Sequence, residues 1–432
     1  MKDLKELSVK IDSLLESKNI TKSAYTVAEV QTHEFNTEDG EFSLLRTLFD
    51  NSLLVTCFVG EKQGQASGND FSDEGLEATI DAAIDAANSS EPDSCKDIAP
   101  GEGKETFNIG CLNPDKEKFF ERINELNKDI AKAYPKVKVM TTIASYVSAH
   151  KLYKNTNGTE FETNRGNYSI VLEFAGNDEG KTTGINFAAI EFVNLDKPLI
   201  EDKMIRLKLD EAVAQLNEVK FEGKFEGQII LTPDALSNFF YFLVMNYMYD
   251  TVILDGTSRW LDKLDTKVVD ERVNAVIDPF CKDVIAGGMY TSDGFKAETT
   301  PLIENGVLKN FLLSLYVANK TGRKPTKASI GNLIIANGDT PYADMVKNVK
   351  RGLIVGGISC GSPSANGEFS GVAKNSFLIE DGVIKGAVTE TMINGNLAEM
   401  FNHLVAVSTE TFNNGDMIVP YYCVDGIVIS GK

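Results

Sequence analysis

Three side chains in this sequence offer an imidazole for acid–base or metal chemistry: His33, His150 and His403. His33-Glu34 begins like a helical zinc motif, in which two histidines four apart share a helix face. Position 37 is Thr, so the second histidine is missing, and the surrounding residues read as strand or turn. His33 therefore reads as a surface histidine. His150 ends an alternating strand and His403 falls in an amphipathic stretch, Asn396–Val405, so both read as packing or interface residues. Serine chemistry also lacks its frame. There is no Gly-x-Ser-x-Gly, and Cys360-Gly-Ser-Pro363 reads as a turn. Gly64-Gln-Ala-Ser-Gly68 and Gly356-Gly357 miss phosphate-loop and dinucleotide spacing and read as tight turns. Asp255, Asp262 and Asp265 around Trp260 read as solvated loop acids in so acidic a chain.

The elements that would position any such chemistry come from a chain of 432 residues, 42% apolar and 25% charged. That suits a soluble protein of two or three domains. The net charge of −20 repels phosphate backbones, so no nucleic-acid partner is expected. Lys347, Lys350 and Arg351 form the nearest basic group and read as a solvated helix face. No apolar run reaches the ~18 residues of a membrane span. The opening residues are amphipathic, with Leu4, Leu7, Ile11, Leu14 and Leu15 at helical spacing, rather than an export signal. Six cysteines without a Cys-x-x-Cys pair then read as free thiols, and the expected location is cytoplasmic.

The expected fold class is α+β. An N-terminal mixed α/β domain, residues 1–222, would carry a sheet flanked by helices. A C-terminal β-rich domain, residues 223–432, would carry a curved antiparallel sheet or barrel-like core. In the first half, helices are predicted at about 2–18, 71–88, 115–133 and 197–217. Strands are predicted over Tyr25–Val30, Phe42–Leu48, Leu53–Val59, Val137–Lys151, Glu160–Phe174 and Thr182–Phe192. Asn36–Gly40 and Asp50–Asn51 read as turns, and 89–114 as a loop. In the second half, Gly-containing turns at Asn305-Gly306, Asn366-Gly367, Asp381-Gly382 and Asn414-Gly415 punctuate the strands. Residues 228–250 read as a strand running into a helix with Thr232 as cap and Pro233 in its first position. That helix is apolar nearly all round, so it must be buried on most sides or meet another subunit.

These features resemble the TldD/PmbA family, described as modulators of DNA gyrase and as zinc-dependent peptidases. The resemblance runs over nearly the whole chain. Its first part is Phe58-Val-Gly-Glu-Lys-Gln-Gly-Gln-Ala-Ser-Gly68 with the Ala-rich helix that follows. Its more specific part is Thr291-Ser-Asp-Gly-Phe295, then Pro301–Phe311, then Gly367-Glu-Phe-Ser370 through Asp381-Gly382, Val388-Thr-Glu390 and Asn394-Gly-Asn-Leu397. In the TldD branch, His-Glu-x-x-x-His on the long helix and a later Cys bind zinc. Here those positions fall at Tyr241, Phe242 and Asn246, and no Cys lies in Asn414–Ile418; Cys423 is beyond it. The chain thus resembles the PmbA (TldE) branch, which lacks the zinc motif.

What the resemblance implies is a non-catalytic subunit with no catalytic residue, metal or cofactor of its own. The zinc would sit in a TldD-type partner subunit, and the two chains would enclose an unfolded peptide for proteolysis. Gly367, Glu368, Phe369, Ser370 and Gly371 are the candidate peptide-binding residues, because their Gly and Ser leave room beside a strand. The alternative is a self-standing homodimeric peptidase, or a peptide-binding protein, that uses a different site.

Overall fold

Turn chemistry starts the first sheet. Asp39 and Gly40 both take positive φ, 46° and 83°. This closes a two-residue hairpin between β1 (Ser23–Glu38) and β2 (Glu41–Val59). The computed structural model describes residues 3–328 and 331–431. β3 (Lys62–Gly68), β4 (Lys104–Gly110), β5 (Val137–Asn155), β6 (Glu160–Asp178), β7 (Lys181–Thr182) and β8 (Asn186–Phe192) complete an eight-stranded sheet. Its order is β3-β2-β1-β5-β6-β4, with β7 and β8 also on β6. It curls into a half-barrel, antiparallel except that β4 runs parallel to β6.

Helices cover one face of this sheet. α1 (Leu4–Ser17) and α2 (Asp73–Ser89) pack on Tyr25, Val27, Leu53 and Val55. α3 (Lys116–Ala133) and α4 (Lys203–Ala214) pack on Tyr168, Ile170 and Leu172. Each helix starts at a side-chain cap: Asp3, Ser72, Asp115 and Asp202 accept from backbone N–H groups of the first turn. β2 is paired by β3 over Leu53–Val59 alone. Its stretch Glu41–Ser52 has β1 on one side and no strand among the described residues on the other. There Leu45 is 60% and Phe49 72% exposed.

The second sheet has thirteen strands: β9 (Gly223–Leu231), β10 (Ala275–Ile277), β11 (Thr300–Glu304), β12 (Val307–Leu308), β13 (Leu333–Ile335), β14 (Arg351–Val355), β15 (Gly357–Cys360), β16 (Glu368–Lys374), β17 (Ser376–Glu380), β18 (Val383–Val388), β19 (Met392–Asn396), β20 (Leu404–Asn413) and β21 (Met417–Gly431). β21 is its hub, pairing with β9, β13, β19 and β20. Two pairs are parallel, β9 with β14 and β13 with β21, so the sheet is mixed rather than purely antiparallel. α5 (Pro233–Tyr247), α6 (Asp250–Leu254), α7 (Leu315–Thr321) and α9 (Leu397–Asn402) accompany it, with α8 (Tyr342–Asn348) beside β20. Asn305-Gly306 and Asp381-Gly382 again have positive φ at both residues and close the β11–β12 and β17–β18 hairpins.

The two halves are fastened by named contacts. The Arg165 guanidinium donates to the Ala286 carbonyl at 3.1 Å and to that of Gly287. Tyr153 donates to the Asp293 carbonyl at 3.1 Å, and Tyr316 to the Asp93 carboxylate at 3.1 Å. Among the described residues no helix is long and apolar enough to cross a membrane. All six cysteines are free thiols.

Several local expectations are corrected. Asp50–Asn51 is not a turn. Both residues sit inside β2, opposite Val30 and Glu29 on β1, where the long ladder overrides local turn preference. Residues 104–110 of the expected loop form β4, paired with β6 from Lys104↔Glu160 to Gly110↔Gly166. The expected 197–217 helix is a short 3₁₀ turn at Leu199–Glu201 and then α4, restarted by the Asp202 cap. His403 ends α9 rather than lying within a helix that reaches Val405.

Candidate functional site

The site is built on α5. Thr232 closes β9 and caps the helix, accepting from Ala235 N–H at 3.4 Å, and Pro233 takes the first turn. Leu236, Phe239, Phe240, Leu243, Val244 and Tyr247 form the buried face, in one cluster with Phe401, Tyr422 and Val424. The opposite stripe holds Asn238, Tyr241, Phe242, Met245 and Asn246, spaced by three and four residues, so they share one helix face. Tyr241 is 46% exposed. It stands in solvent rather than filling a pocket. Phe242 is half-buried, edge-on to Phe239 at 6.3 Å between ring centres. Asn246 turns its amide to the next element and donates to the Ser364 carbonyl at 2.8 Å.

That element is the Gly361–Gly367 loop between β15 and β16. Ser364 N–H donates to the Glu368 carbonyl at 2.9 Å, and Gly367 N–H to the Ser364 carbonyl at 2.7 Å. The Asn396 amide donates to the Asn366 carbonyl at 2.7 Å. Gly367 has φ +87°, and a Cβ there would stand 2.0 Å from the Tyr247 hydroxyl, so only glycine suits the position. Tyr247 is fully buried, stacked on Trp260 at 4.6 Å, and its hydroxyl has no hydrogen-bond partner among the described residues. Burial raises its pKa above the ordinary phenol value.

Two contacts join the groups of sequence-predicted residues: Asn246 on the Ser364 carbonyl, and Phe239 between Phe242 and Phe369. Phe369 points toward α5 and meets Phe239 edge-on at 5.0 Å, so alternation along β16 turns Glu368 and Ser370 to the face away from that helix. β16 is not a free edge along its length. Gly371 lies between Cys360 of β15 and Ile393 of β19, and β15 pairs on through Lys374. Over Glu368–Ser370 the ladder continues on the β19 side alone. The loop already engages Glu368, whose carbonyl accepts from Ser364 N–H and whose N–H donates to Ser364 Oγ, so room for an added strand is confined to Phe369 and Ser370. Of the partners that complete the patch, Ser364 and Tyr247 carried no signal beyond the Asn366-Gly367 turn, whereas Asn396 lies in the Asn394-Gly-Asn-Leu397 segment of the resemblance.

The remaining chemistry-bearing residues lie elsewhere. His33 on β1 is held by Thr47 Oγ1 at 2.8 Å and Lys116 Nζ at 2.9 Å, and partial burial with that ammonium lowers its pKa. His150 meets the Glu162 carboxylate at 2.9 Å. Cys423 packs with Ile230, Ile354 and Tyr421, whereas α5 packs with Tyr422 and Val424 of the same strand. Alternation along β21 therefore sends the thiol to the face away from α5. Burial pushes its pKa up to about 12. Asp255, Asp262 and Asp265 are exposed, and Asp265 pairs with Lys309 at 2.8 Å. One buried ionic group had no sequence signal: Lys208 of α4 is shared by Glu211, at 2.8 Å, and Asp234 at the start of α5. Burial acts against the Lys208 ammonium, but the two carboxylates outweigh it and hold its pKa above the ordinary value. Glu211, one of two acids sharing one cation, has its pKa raised by burial.

A half-barrel sheet joined to a mixed sheet with a capped helix across it is the architecture of a known group of peptidase-related proteins. Family models match residues 27–87 as "PmbA/TldA metallopeptidase domain 1" and residues 224–431 as "PmbA/TldA metallopeptidase C-terminal domain". The chain belongs to the TldD/PmbA family. It is similar to Metalloprotease PmbA of Escherichia coli O157:H7, 24% identical over 94% of this chain and 92% of that one. Its fold matches the crystal structure of TldE from Thermococcus kodakarensis with a TM-score of 0.83 at 21% identity, covering 98% of this chain and all of that one. A structure from Bacteroides thetaiotaomicron, named for modulation of DNA gyrase, matches with a TM-score of 0.83 at 21% identity and 99% coverage of both chains.

The family name implies a metal. The outward stripe of α5 supplies two amides, a phenol, a phenyl ring and a thioether. Zinc is held by thiolate, imidazole or carboxylate. Among the described residues no group of three or more His, Cys, Asp or Glu converges to hold an ion. The donor set of this patch does not fit zinc. What it can do is hydrogen-bond to a peptide backbone and pack side chains against Tyr241 and Phe242.

Proposed function

We propose that this chain is the metal-free subunit of a peptidase, pairing with a TldD-type zinc subunit and helping to enclose an unfolded peptide. The observation that carries this reading is the α5 stripe: Tyr241, Phe242 and Asn246 occupy its outward face, and Asn246 ties it to the loop that leads into Glu368–Ser370. An extended peptide added along Phe369 and Ser370 would bind through its backbone and so tolerate varied sequence. The bare β2 edge supports a pairing role, since long apolar edge strands are normally covered. The zinc, and the water it activates, belong to the partner in this reading.

The test is a peptide-cleavage assay of this chain, of a TldD-type subunit and of their mixture, with metal analysis of each. The expected outcome is cleavage that needs the zinc subunit and is altered by this chain, with sub-stoichiometric zinc on this chain after dialysis. One zinc per chain retained through dialysis, or cleavage by this chain alone, overturns it. A second reading, the self-standing homodimer, draws on the β2 edge as well. Two copies paired antiparallel about Leu48 would set Arg46 opposite Asp50, a favourable cross-strand charge pair. Sedimentation of the isolated chain separates the two.

A further inference from the structure

We propose that a cleft between α4 and the outer face of the second sheet binds a small amphipathic monocation, a primary ammonium head on a compact apolar body. The cleft has a volume of about 260 Å³. Its walls are Leu207 of α4, Ile354 of β14, Phe377 of β17 and Ile384 of β18. Its polar groups are Asp210, Glu211, Tyr342 and Tyr421, with Thr232 at the base. An apolar cleft with a few convergent polar groups is the usual form of a small-ligand site.

The charges select the ligand. No Lys or Arg lines the cleft. The adjoining Lys208 is already shared between Glu211 and Asp234, one ammonium for two carboxylates. Exposed Asp210 adds a third carboxylate at the rim, and Glu410 a fourth, accepting from Tyr342 N–H at 3.0 Å. An independent observation points inward. Tyr421 lines the cleft, is 3% exposed and stacks its ring on Tyr342 at 4.3 Å; its hydroxyl is not sealed in the core as those of Tyr247 and Tyr422 are, and is left to the cleft. An anion would meet uncompensated carboxylates, and a purely apolar body would leave that hydroxyl and the surplus charge unanswered. A bare ion would leave the apolar walls without contacts. An ammonium can donate to the Tyr421 oxygen and to a carboxylate while its body fills the walls. The site spans both halves of the chain, and its Glu211 shares Lys208 with Asp234 of α5. A bound ligand therefore bears on the start of the helix that carries the peptide patch.

The probe is phenethylammonium, with phenylacetate and 2-phenylethanol as the anionic and neutral counterparts. Binding to the full chain is read by calorimetry and by the shift in melting temperature. Saturable binding of the amine with a raised Tm is expected, with at least tenfold weaker binding of both counterparts. Ala214→Trp, which fills the cleft from an exposed lining position, is expected to weaken amine binding at least tenfold with an unaltered circular dichroism spectrum. If that variant does not fold, Ile384→Trp, from a second exposed lining position, serves the same purpose. Equal binding of amine and phenylacetate, no binding of the amine, or full binding by the filled-cleft variant overturns the proposal.

Discussion

Tyr247 and Gly367 face each other closely enough for each to set the other's tolerance. Gly367→Ala adds a Cβ at positive φ, 2.0 Å from the Tyr247 hydroxyl. A loss of about 1–3 kcal/mol in unfolding free energy is expected from urea titration. Tyr247→Phe removes a buried hydroxyl that has no partner and is expected to be close to neutral. The double variant is expected to recover part of the Gly367→Ala loss, because the clash is with the oxygen. Full additivity in the cycle would refute that contact. Lys208 gives a prediction with a pH signature. Lys208→Met leaves Glu211 and Asp234 facing each other without a cation, at an expected cost of about 3–5 kcal/mol at pH 7.5. Glu211 already has a folded-state pKa above its ordinary value. Its charged form is thus the destabilised one, and stability is regained as pH falls through that range. The gap between variant and native protein is expected to narrow from pH 7.5 to 5.5; a gap that widens would contradict this. At this scale the sequence was partly legible. The absence of zinc-type ligands on α5 could be read from residue types, and Thr232 as its cap. The Asn246–Ser364 bond and the Lys208 triad could not, because each joins residues brought together only by the folded sheets.

At the scale of elements, α5 and the β2 edge each offer a test. Leu48→Lys with Phe49→Lys changes side chains that are already exposed. The unfolding free energy of the isolated chain is expected to move by no more than ~0.5 kcal/mol. Association with a partner subunit, or with a second copy, is expected to fall at least tenfold by sedimentation. Undiminished association would remove β2 from the interface. The element pattern explains which parts of the fold could be foreseen. α1, α2 and α3 announce themselves by a side-chain cap followed by apolar residues at helical spacing. The hairpins at Asp381-Gly382 and Asn305-Gly306 are legible because residues with φ > 0 favour Asn, Asp and Gly. β4 was missed because its sequence, Lys104–Gly110, does not alternate clearly and its parallel partner β6 begins fifty-six residues later in the pairing. The middle of β2 was misread because Asp50–Asn51 carries turn chemistry that a nineteen-residue ladder simply ignores.

For the whole molecule, the charge of −20 sets what it can approach. No retention of duplex DNA is expected in a mobility-shift assay at ~0.1 M salt, where binding depends on cations that displace counterions from phosphates. Micromolar retention that weakens steeply with added salt would show a basic surface that the net charge conceals. The α+β class could be read from the order of helical and alternating segments. The parallel pairs β9–β14 and β13–β21 could not, since each depends on strands far apart in sequence finding one another.

The hub position of β21 has a kinetic corollary. Leu231 of β9 pairs with Tyr422 of β21, about 190 residues further along the chain. Until that distant segment docks, Ile229, Ile230 and Leu231, all fully buried in the finished sheet, have no partner on that side. Such remote closure slows the search for the native arrangement and leaves sticky intermediates in the interval. Refolding from urea is therefore expected to be sluggish and prone to off-pathway clumping, and a general chaperone would act on the second half more than on the half-barrel.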